Sequence, residues 1–194
     1  MPLLSQCSAY LIARNARQGE ALARLSIRLG FGQTELLAAP EAYGEHTGFP
    51  MRFFLMYRHL SDELMVSIRD VIRHSADDNV RFSPIILFAD ECDFDTYVRY
   101  VKLGFDDVLT LPDKRDMLIA RLENQITSEH TYFETGNYIG PDRRRLELPG
   151  YTDPRRGNDS RSFTKHLVQR SVTYGSRAVR SELLISSPVQ LRAS

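Results

Sequence analysis

The chain has 194 residues, of which 42% are hydrophobic and 26% charged, which predicts one core of ordinary size plus an extension, because domains usually span about 100–200 residues. Its net charge is zero, yet residues 1–130 hold 14 basic and 19 acidic side chains and residues 131–194 hold 11 basic and 6 acidic ones. No apolar run approaches the ~20 residues of a membrane span and the first residues lack the pattern of a signal peptide, so a membrane protein is excluded and a cytoplasmic location expected.

Cysteine and histidine usage gives no sign of catalysis or of a metal site. Cys7 and Cys92 are far apart in the sequence, which fits neither a metal-ligand pair nor a disulfide framework and favours a reducing compartment. His59 and His74 have no partners at the spacing of a catalytic triad. We therefore expect a protein that is not an enzyme and holds no metal.

Strand-like and helix-like patterns alternate through the first 130 residues. Ser8–Ala13 is a short apolar run typical of a buried parallel strand, and Ala16–Leu29 is an amphipathic helix that Gly30 is placed to end. Pro40–Gly48 is poorly defined and allows a short helix. The other predicted strands are Gly32–Ala39, Met51–Tyr57, Pro84–Phe88 and Asp107–Leu111, and the other predicted helices are Asp62–His74, Phe94–Leu103 and a segment from the cap Asp113 to about Ile126.

This alternation predicts an α/β fold with a doubly wound parallel sheet of five strands. Right-handed crossovers place helices on both faces of such a sheet. The flavodoxin-like strand order 2-1-3-4-5 is the natural arrangement, and its ligand crevice lies at the carboxyl ends of the first and third strands.

The segment Gly104–Pro112 reads Gly-Phe-Asp-Asp-Val-Leu-Thr-Leu-Pro. It resembles the segment that closes the receiver domain of bacterial response regulators, which usually reads Gly-Ala-Asp-Asp-Tyr-Leu-x-Lys-Pro. The resemblance implies the receiver fold. In that family the lysine pairs with the phosphorylated aspartate, and here its position holds Leu111.

The same resemblance implies where the other parts of a receiver site would fall. The acidic pair that binds magnesium would lie at Ala13–Arg14 or Arg14–Asn15, the phosphoacceptor aspartate near Met56–Tyr57, and the hydroxyl at Ala89. None of these positions supplies the required group. The chain therefore resembles a degenerate receiver, or pseudo-receiver. Arg14 and Arg58 either pack and face solvent or make the crevice a weak anion or partner site.

A protein of this kind is expected to work through protein partners. Receiver domains commonly pair through the face formed by the fourth helix, the fifth strand and the fifth helix. On this face Tyr97, Tyr100 and Phe105 are the candidate contact residues, with Tyr100 expected to be exposed. We predict either a homodimer through this face or a complex with a signalling protein.

After about residue 130 the composition changes to an arginine-rich tail. Tyr138–Arg145 (Tyr-Ile-Gly-Pro-Asp-Arg-Arg-Arg) and Tyr151–Arg156 (Tyr-Thr-Asp-Pro-Arg-Arg) each combine a tyrosine, a proline turn and arginines. The Gly-Pro-Asp segment blocks a helix, so the tail should begin as extended chain. It resembles the tails of receiver-like proteins of alphaproteobacteria. We expect residues 131–194 to be largely irregular, although Thr164–Leu184 allows a short helix interrupted near Gly175.

Several roles are open to the tail. It could wrap onto the acidic first 130 residues, dock a protein partner, or bind a phosphate-rich ligand, since arginine recognises phosphate in bidentate fashion. Cyclic di-GMP is the candidate ligand, because arginine-rich extensions of receiver-like proteins can bind it. Nucleic acid is not favoured, because the chain is neutral overall. The candidate ligand residues are Arg143, Arg144, Arg145, Arg155, Arg156 and Asp159.

Overall fold

A five-stranded parallel sheet forms the centre of the protein. The computed structural model describes residues 2–37, 48–142 and 162–185. The strands are β1 (Cys7–Ile12), β2 (Gln33–Leu36), β3 (Met51–Tyr57), β4 (Ile85–Asp90) and β5 (Asp107–Leu111). Their order is β2-β1-β3-β4-β5, with every neighbouring pair parallel, which confirms the predicted flavodoxin-like fold.

Helices cover both faces of this sheet. They are α1 (Ala16–Leu29), α2 (Asp62–Arg73), the one-turn α3 (Asp78–Arg81), α4 (Phe94–Leu103) and α5 (Arg115–Thr127). Leu22 of α1 and Leu118 of α5 pack in one apolar cluster, whereas Met65 of α2 and Val101 of α4 pack in the other. Within the described residues, no helix is long and apolar enough to span a membrane.

Local sequence explains where several helices begin and end. The side chain of Asn15 caps α1, and α1 and α4 end at Gly30 and Gly104, whose φ angles of 97° and 103° are left-handed. The predicted cap of α5 was one residue early. Its N-cap is Lys114, and Asp113 Oδ1 accepts the backbone N–H of Lys114 at 2.7 Å.

The C-terminal region adds a second, antiparallel sheet. Its strands are β6 (His130–Thr135), β7 (Tyr138–Pro141), β8 (Ser162–Ser171) and β9 (Gly175–Ile185), in the order β7-β6-β8-β9. The expectation of extended chain at Tyr138–Pro141 is confirmed. The predicted short helix within Thr164–Leu184 is wrong, as is a largely irregular extension, because β8 and β9 form a long hairpin.

The reason for this correction lies in the spacing of buried residues. His166, Val168 and Arg170 are buried, whereas Leu167 and Gln169 between them are more exposed. Burial at every second residue is the period of a strand. The apolar residues of this segment also fit the spacing of a helix. Because one of the inward-facing residues is an arginine, the pattern of apolar residues alone does not show the two-residue period of the strand.

Residues from both sides of residue 130 meet in a small third cluster. Phe82, which follows α3, packs with Tyr132 of β6, Ile139 of β7 and Val168 of β8. The rings of Phe82 and Tyr132 meet edge to face, with centroids 5.6 Å apart. The second sheet therefore contacts the parallel-sheet body directly. The division of the chain into domains at residue 130 stays a prediction.

Candidate functional site

The carboxyl edge of the parallel sheet brings together the positions expected for a receiver site. Arg14 and Asn15 follow β1, Tyr57 ends β3, Ala89 lies near the end of β4, and Leu111 ends β5. Asp90 is paired with Leu111, so β4 and β5 end level, whereas Tyr57 is paired with Phe88, two residues before the end of β4. None of the five residues carries the carboxylate, aliphatic hydroxyl or ammonium group that phosphoryl chemistry uses.

The loop after β1 uses its polar groups to start α1. Asn15 Oδ1 accepts the backbone N–H of Gln18 at 3.0 Å, and Gln18 Oε1 accepts the N–H of Arg14 at 3.2 Å. A cleft of about 390 Å³ adjoins this loop. It is lined by Asn15, Arg17, Gln18, Ala21, Tyr57 and His59. These side chains offer guanidinium, imidazole, phenol and amide groups to the cleft, and none of them is a carboxylate.

A polar cluster that the sequence did not reveal lies beside this cleft. The Tyr57 hydroxyl donates to Asp90 Oδ1 at 2.9 Å, and His59 Nε2 lies 3.6 Å from Asp90 Oδ2. The rings of Tyr57 and His59 stack with centroids 5.1 Å apart. The Asp90 carboxylate is thus held between a phenol and an imidazole.

The pKa of Tyr57 favours its hydrogen bond to Asp90. Burial, then the hydrogen bond to Asp90 and the charge of Asp90, raise the pKa of Tyr57 to about 12 against an opposing effect of Arg58. The phenol therefore stays protonated at neutral pH and remains a donor to the carboxylate. This occupies one oxygen of Asp90, the carboxylate at the end of β4.

Leu111 places an apolar side chain where a receiver has its lysine. It packs partly against the apolar cluster on the α1 and α5 side. A second cleft of about 420 Å³ adjoins it, lined by Glu91, Cys92, Asp93, Thr110, Leu111 and Pro112. Across residues 2–37, 48–142 and 162–185, no group of three potential ligand side chains could hold a metal ion.

The predicted contact residues of the partner face do not form an exposed surface. Tyr100 is 4% exposed and Phe105 is 1% exposed, because both side chains pack in the cluster beneath α2 and α4, and Tyr97 packs against the same cluster. The expectation that Tyr100 is an exposed aromatic residue is therefore wrong. The large exposed apolar side chains of this region are Phe94 of α4 and Met117 of α5.

The candidate ligand residues of the tail fall outside the described part of the chain. They are Arg143, Arg144, Arg145, Arg155, Arg156 and Asp159.

A second polar cluster, also missed by sequence reasoning, is buried around Asp106. Its Oδ2 accepts the backbone N–H of Ile85 at 2.8 Å and is bound by Arg73 of α2. Its Oδ1 accepts from Arg170 Nη2 of β8 at 2.9 Å and from the Tyr132 hydroxyl of β6. One carboxylate therefore joins a helix of the body to two strands of the second sheet.

Arg170 and Arg73 also donate hydrogen bonds to other groups around this carboxylate. Arg170 Nε donates to Phe82 O at 3.1 Å and its Nη1 donates to Gln125 Oε1 at 2.8 Å. Arg73 Nη1 donates to Ser83 O at 2.7 Å. Burial by itself raises the pKa of Asp106, but the charges of Arg73 and Arg170 outweigh it and hold that pKa well below its usual range.

This cluster gives the receiver-like segment Gly104–Pro112 a structural role. Asp106 anchors the second sheet, and Asp107 Oδ2 accepts from Arg121 Nε of α5 at 3.1 Å. The signal available in the sequence was Arg170, two residues after the buried Val168. An arginine at an inward position of a strand requires a buried anion as its partner.

Comparison of the structure with solved proteins finds receiver domains. That of a sensor histidine kinase from Pseudomonas aeruginosa, solved with magnesium in its active-site cleft, is 24% identical over 62% of this chain and 98% of its own, with a TM-score of 0.44. The signal receiver domain of a histidine kinase from Syntrophus aciditrophicus is 17% identical over 61% of this chain and 88% of its own (TM-score 0.43). A response regulator from Colwellia psychrerythraea is 12% identical over 61% of this chain and 95% of its own (TM-score 0.41).

No protein-family model and no curated protein matches the chain. At these identities the likeness concerns the fold alone. The order of the five parallel strands supports the same fold by itself.

Proposed function

We propose that the chain is a non-catalytic, phosphorylation-independent signalling or scaffolding protein that acts through protein contacts of its receiver-like body. The proposal rests on the side chains that lie at the carboxyl edge of the parallel sheet. Tyr57 lies at the end of β3 and donates its hydroxyl to Asp90, while Leu111 lies at the end of β5. A phosphoryl switch needs a carboxylate acceptor and an ammonium group at these two places.

The charges near the edge also oppose a metal-dependent switch. Arg14 follows β1 and Arg58 follows β3. Each positive charge would repel a divalent cation in the crevice. Asp90, the carboxylate at the end of β4, already accepts the Tyr57 hydroxyl. These features support a role that does not pass through an acyl phosphate.

Phosphoryl transfer can be tested directly. The full chain is incubated with acetyl phosphate and Mg²⁺, and its intact mass is recorded over time. We expect no phosphoryl adduct for the wild-type chain or for Tyr57→Phe, which releases Asp90 from its donor and preserves the ring. Any stable acyl phosphate contradicts the proposal, and its loss in Asp90→Asn would identify Asp90 as the acceptor.

The surface that meets a partner is proposed to include Phe94 and Met117. Both are exposed, and they lie in α4 and α5, the helices of the face that we expected to make contacts. Exposed large apolar side chains on a soluble domain favour protein contacts. This choice replaces Tyr100 and Phe105, which are buried.

A second candidate function is binding of cyclic di-GMP by the arginine-rich segment. It is supported by the two arginine clusters Arg143–Arg145 and Arg155–Arg156 and by the excess of basic residues after residue 130. Calorimetry of the full chain with cyclic di-GMP tests it. Specific binding should be lost when Arg143, Arg144 and Arg145 are all changed to Ala. It should persist when three arginines of α1, Arg17, Arg24 and Arg28, are changed instead.

Absence of heat with the wild-type chain at high micromolar ligand would remove this candidate. Binding that survives the Arg143–Arg145 change would remove that cluster as the site. Substitutions are preferred to removal of the tail, because Tyr132 and Arg170 contribute to the buried cluster around Asp106.

A further inference from the structure

Among the residues that the structure describes, the outer edge of β9 is open along most of its length. β9 is the last strand of the antiparallel sheet and pairs with β8 from Gly175 to Ile185. Its first residues are covered by α3, since Asn79 Oδ1 accepts the N–H of Ser176 at 2.8 Å. In the part of the chain that the structure describes, no strand pairs with the remainder of this edge.

The uncovered part of β9 carries large apolar side chains. Leu183 and Ile185 are 67% and 71% exposed, and Val179 is 41% exposed. A long sheet edge with exposed apolar residues readily pairs with another strand, and natural proteins normally cover or blunt such an edge. The strand from Gly175 to Ile185 contains no proline or lysine, and its charged residues are Arg177, Arg180 and Glu182.

From Arg180 to Ile185, beyond the β-bulge at Val179, the side chains of β9 alternate between the two faces of the sheet. Ser181 Oγ lies 2.8 Å from Nδ1 of the buried His166, which places Ser181 on the face toward the body. Leu183 and Ile185 follow on that face at intervals of two residues. Arg180 and Glu182 lie on the opposite face, where they form an ion pair within the chain.

We propose that β9 pairs antiparallel with β9 of a second copy about a two-fold axis at Ser181. Around such an axis Arg180 lies opposite Glu182 of the second copy, and the same pair occurs twice. Leu183 of each copy reaches the β-bulge of the other copy, where the exposed Val179 lies. The pairing thus joins opposite charges on one face and brings together apolar residues that are exposed in a single copy.

The charges select this register over its neighbours. In an antiparallel pair, residues directly opposite each other lie on the same face, so the axis must pass through a residue. An axis at Arg180 or at Glu182 places two like charges directly opposite each other, which is destabilising. An axis at Leu183 leaves Glu182 opposite the apolar Leu184. Of these four axes, only the one at Ser181 places Arg180 and Glu182 each opposite a residue of the other charge.

The pairing would join two four-stranded sheets into one continuous sheet across the dimer. It does not involve α4 or α5, so the face proposed above for signalling contacts stays available in each copy. A second copy is the occupant that the self-complementary charges indicate. A different protein would have no reason to match the order Arg180-Ser181-Glu182.

Charge exchange tests this arrangement. Sedimentation velocity of the full chain over a range of concentrations should show a monomer–dimer equilibrium. Arg180→Glu and Glu182→Arg each create two like-charge pairs per dimer and should each raise the dissociation constant about tenfold or more. The double variant R180E/E182R restores opposite charges and should restore the dimer. Both side chains are solvent-accessible, and circular dichroism verifies that the variants are folded.

Two control variants separate this edge from other surfaces. Arg24→Glu makes the same charge change on α1, where Arg24 is 68% exposed and paired with Glu20, and should leave the dimer unchanged. Met117→Ser on α5 should also leave it unchanged. A monomeric wild-type chain, a dimer indifferent to both single variants, a double variant that does not reassociate, or a dimer lost in Met117→Ser would each overturn the pairing.

Discussion

Arg170 is the residue through which the second sheet enters the body of the protein. Its side chain is buried and donates to Asp106, Gln125 and Phe82. Replacing Arg170 with Met should lower the free energy of unfolding by about 3–5 kcal/mol, because loss of one member of a buried ion pair leaves the other members uncompensated. Urea unfolding of the full chain at neutral pH measures this change.

The control for this variant lies on the neighbouring strand. Arg177→Met makes the same chemical change at an exposed position, where the guanidinium lies 4.1 Å from the centre of the Tyr174 ring. It should cost less than about 1 kcal/mol, the scale of an exposed cation–π contact. Equal unfolding midpoints for the two variants would contradict the importance assigned to the Asp106 cluster.

The same cluster predicts how stability depends on pH. Burial opposes ionisation of Asp106, but Arg73 and Arg170 prevail and hold its pKa below the usual value. A carboxyl group with a depressed folded pKa contributes stability that is complete above its unfolded pKa of about 4 and declines as the pH falls below it. The difference in unfolding free energy between wild type and Arg170→Met should therefore shrink below about pH 4. A difference that grows there would contradict this assignment.

At the scale of helices and strands, the sequence correctly predicted the elements whose bounds depend on local pattern. Ala16–Leu29, Met51–Tyr57 and Asp107–Leu111 have the same bounds in the structure as in the prediction, because their apolar periods and caps are local. The one-turn helix α3 and the hairpin of β8 and β9 were missed. The inward face of β8 includes Arg170, and its partner Asp106 is distant in sequence, so a count of apolar residues could not reveal the period.

The candidate site was likewise predictable from the sequence only in part. The strand ends at Tyr57, Ala89 and Leu111 could be placed from the sequence, because the ends of parallel strands meet at one edge. The contact between Tyr57 and Asp90 could not, since it depends on the register between β3 and β4 and on side-chain direction. The exposure of Tyr100 was misjudged because its side of α4 packs onto the parallel sheet, in the same cluster as the buried Phe105 that follows the helix.

For the whole molecule, the question is whether residues 1–130 form a unit that folds alone. Removal of the chain after residue 130 would take away Tyr132, Val168 and Arg170, which leaves Phe82 uncovered and removes two of the groups that bind Asp106. The loss of Arg170 alone is expected to cost about 3–5 kcal/mol, against a total stability of roughly 5–15 kcal/mol for a typical domain. Residues 1–130 should therefore lack a stable cooperative fold.

Thermal unfolding followed by circular dichroism tests this expectation, with a chain ending at residue 185 as the control that keeps every described strand. The control should unfold cooperatively, and the chain ending at residue 130 should show a broad transition or none. A sharp transition of the shorter chain within a few degrees of the control would mean that the parallel-sheet body is autonomous. The contacts around Asp106 would then be a docking surface and not a part of the core. We expect these contacts to be part of the core. Removing one of the two arginines around a buried carboxylate lowers the free energy of unfolding by a large amount.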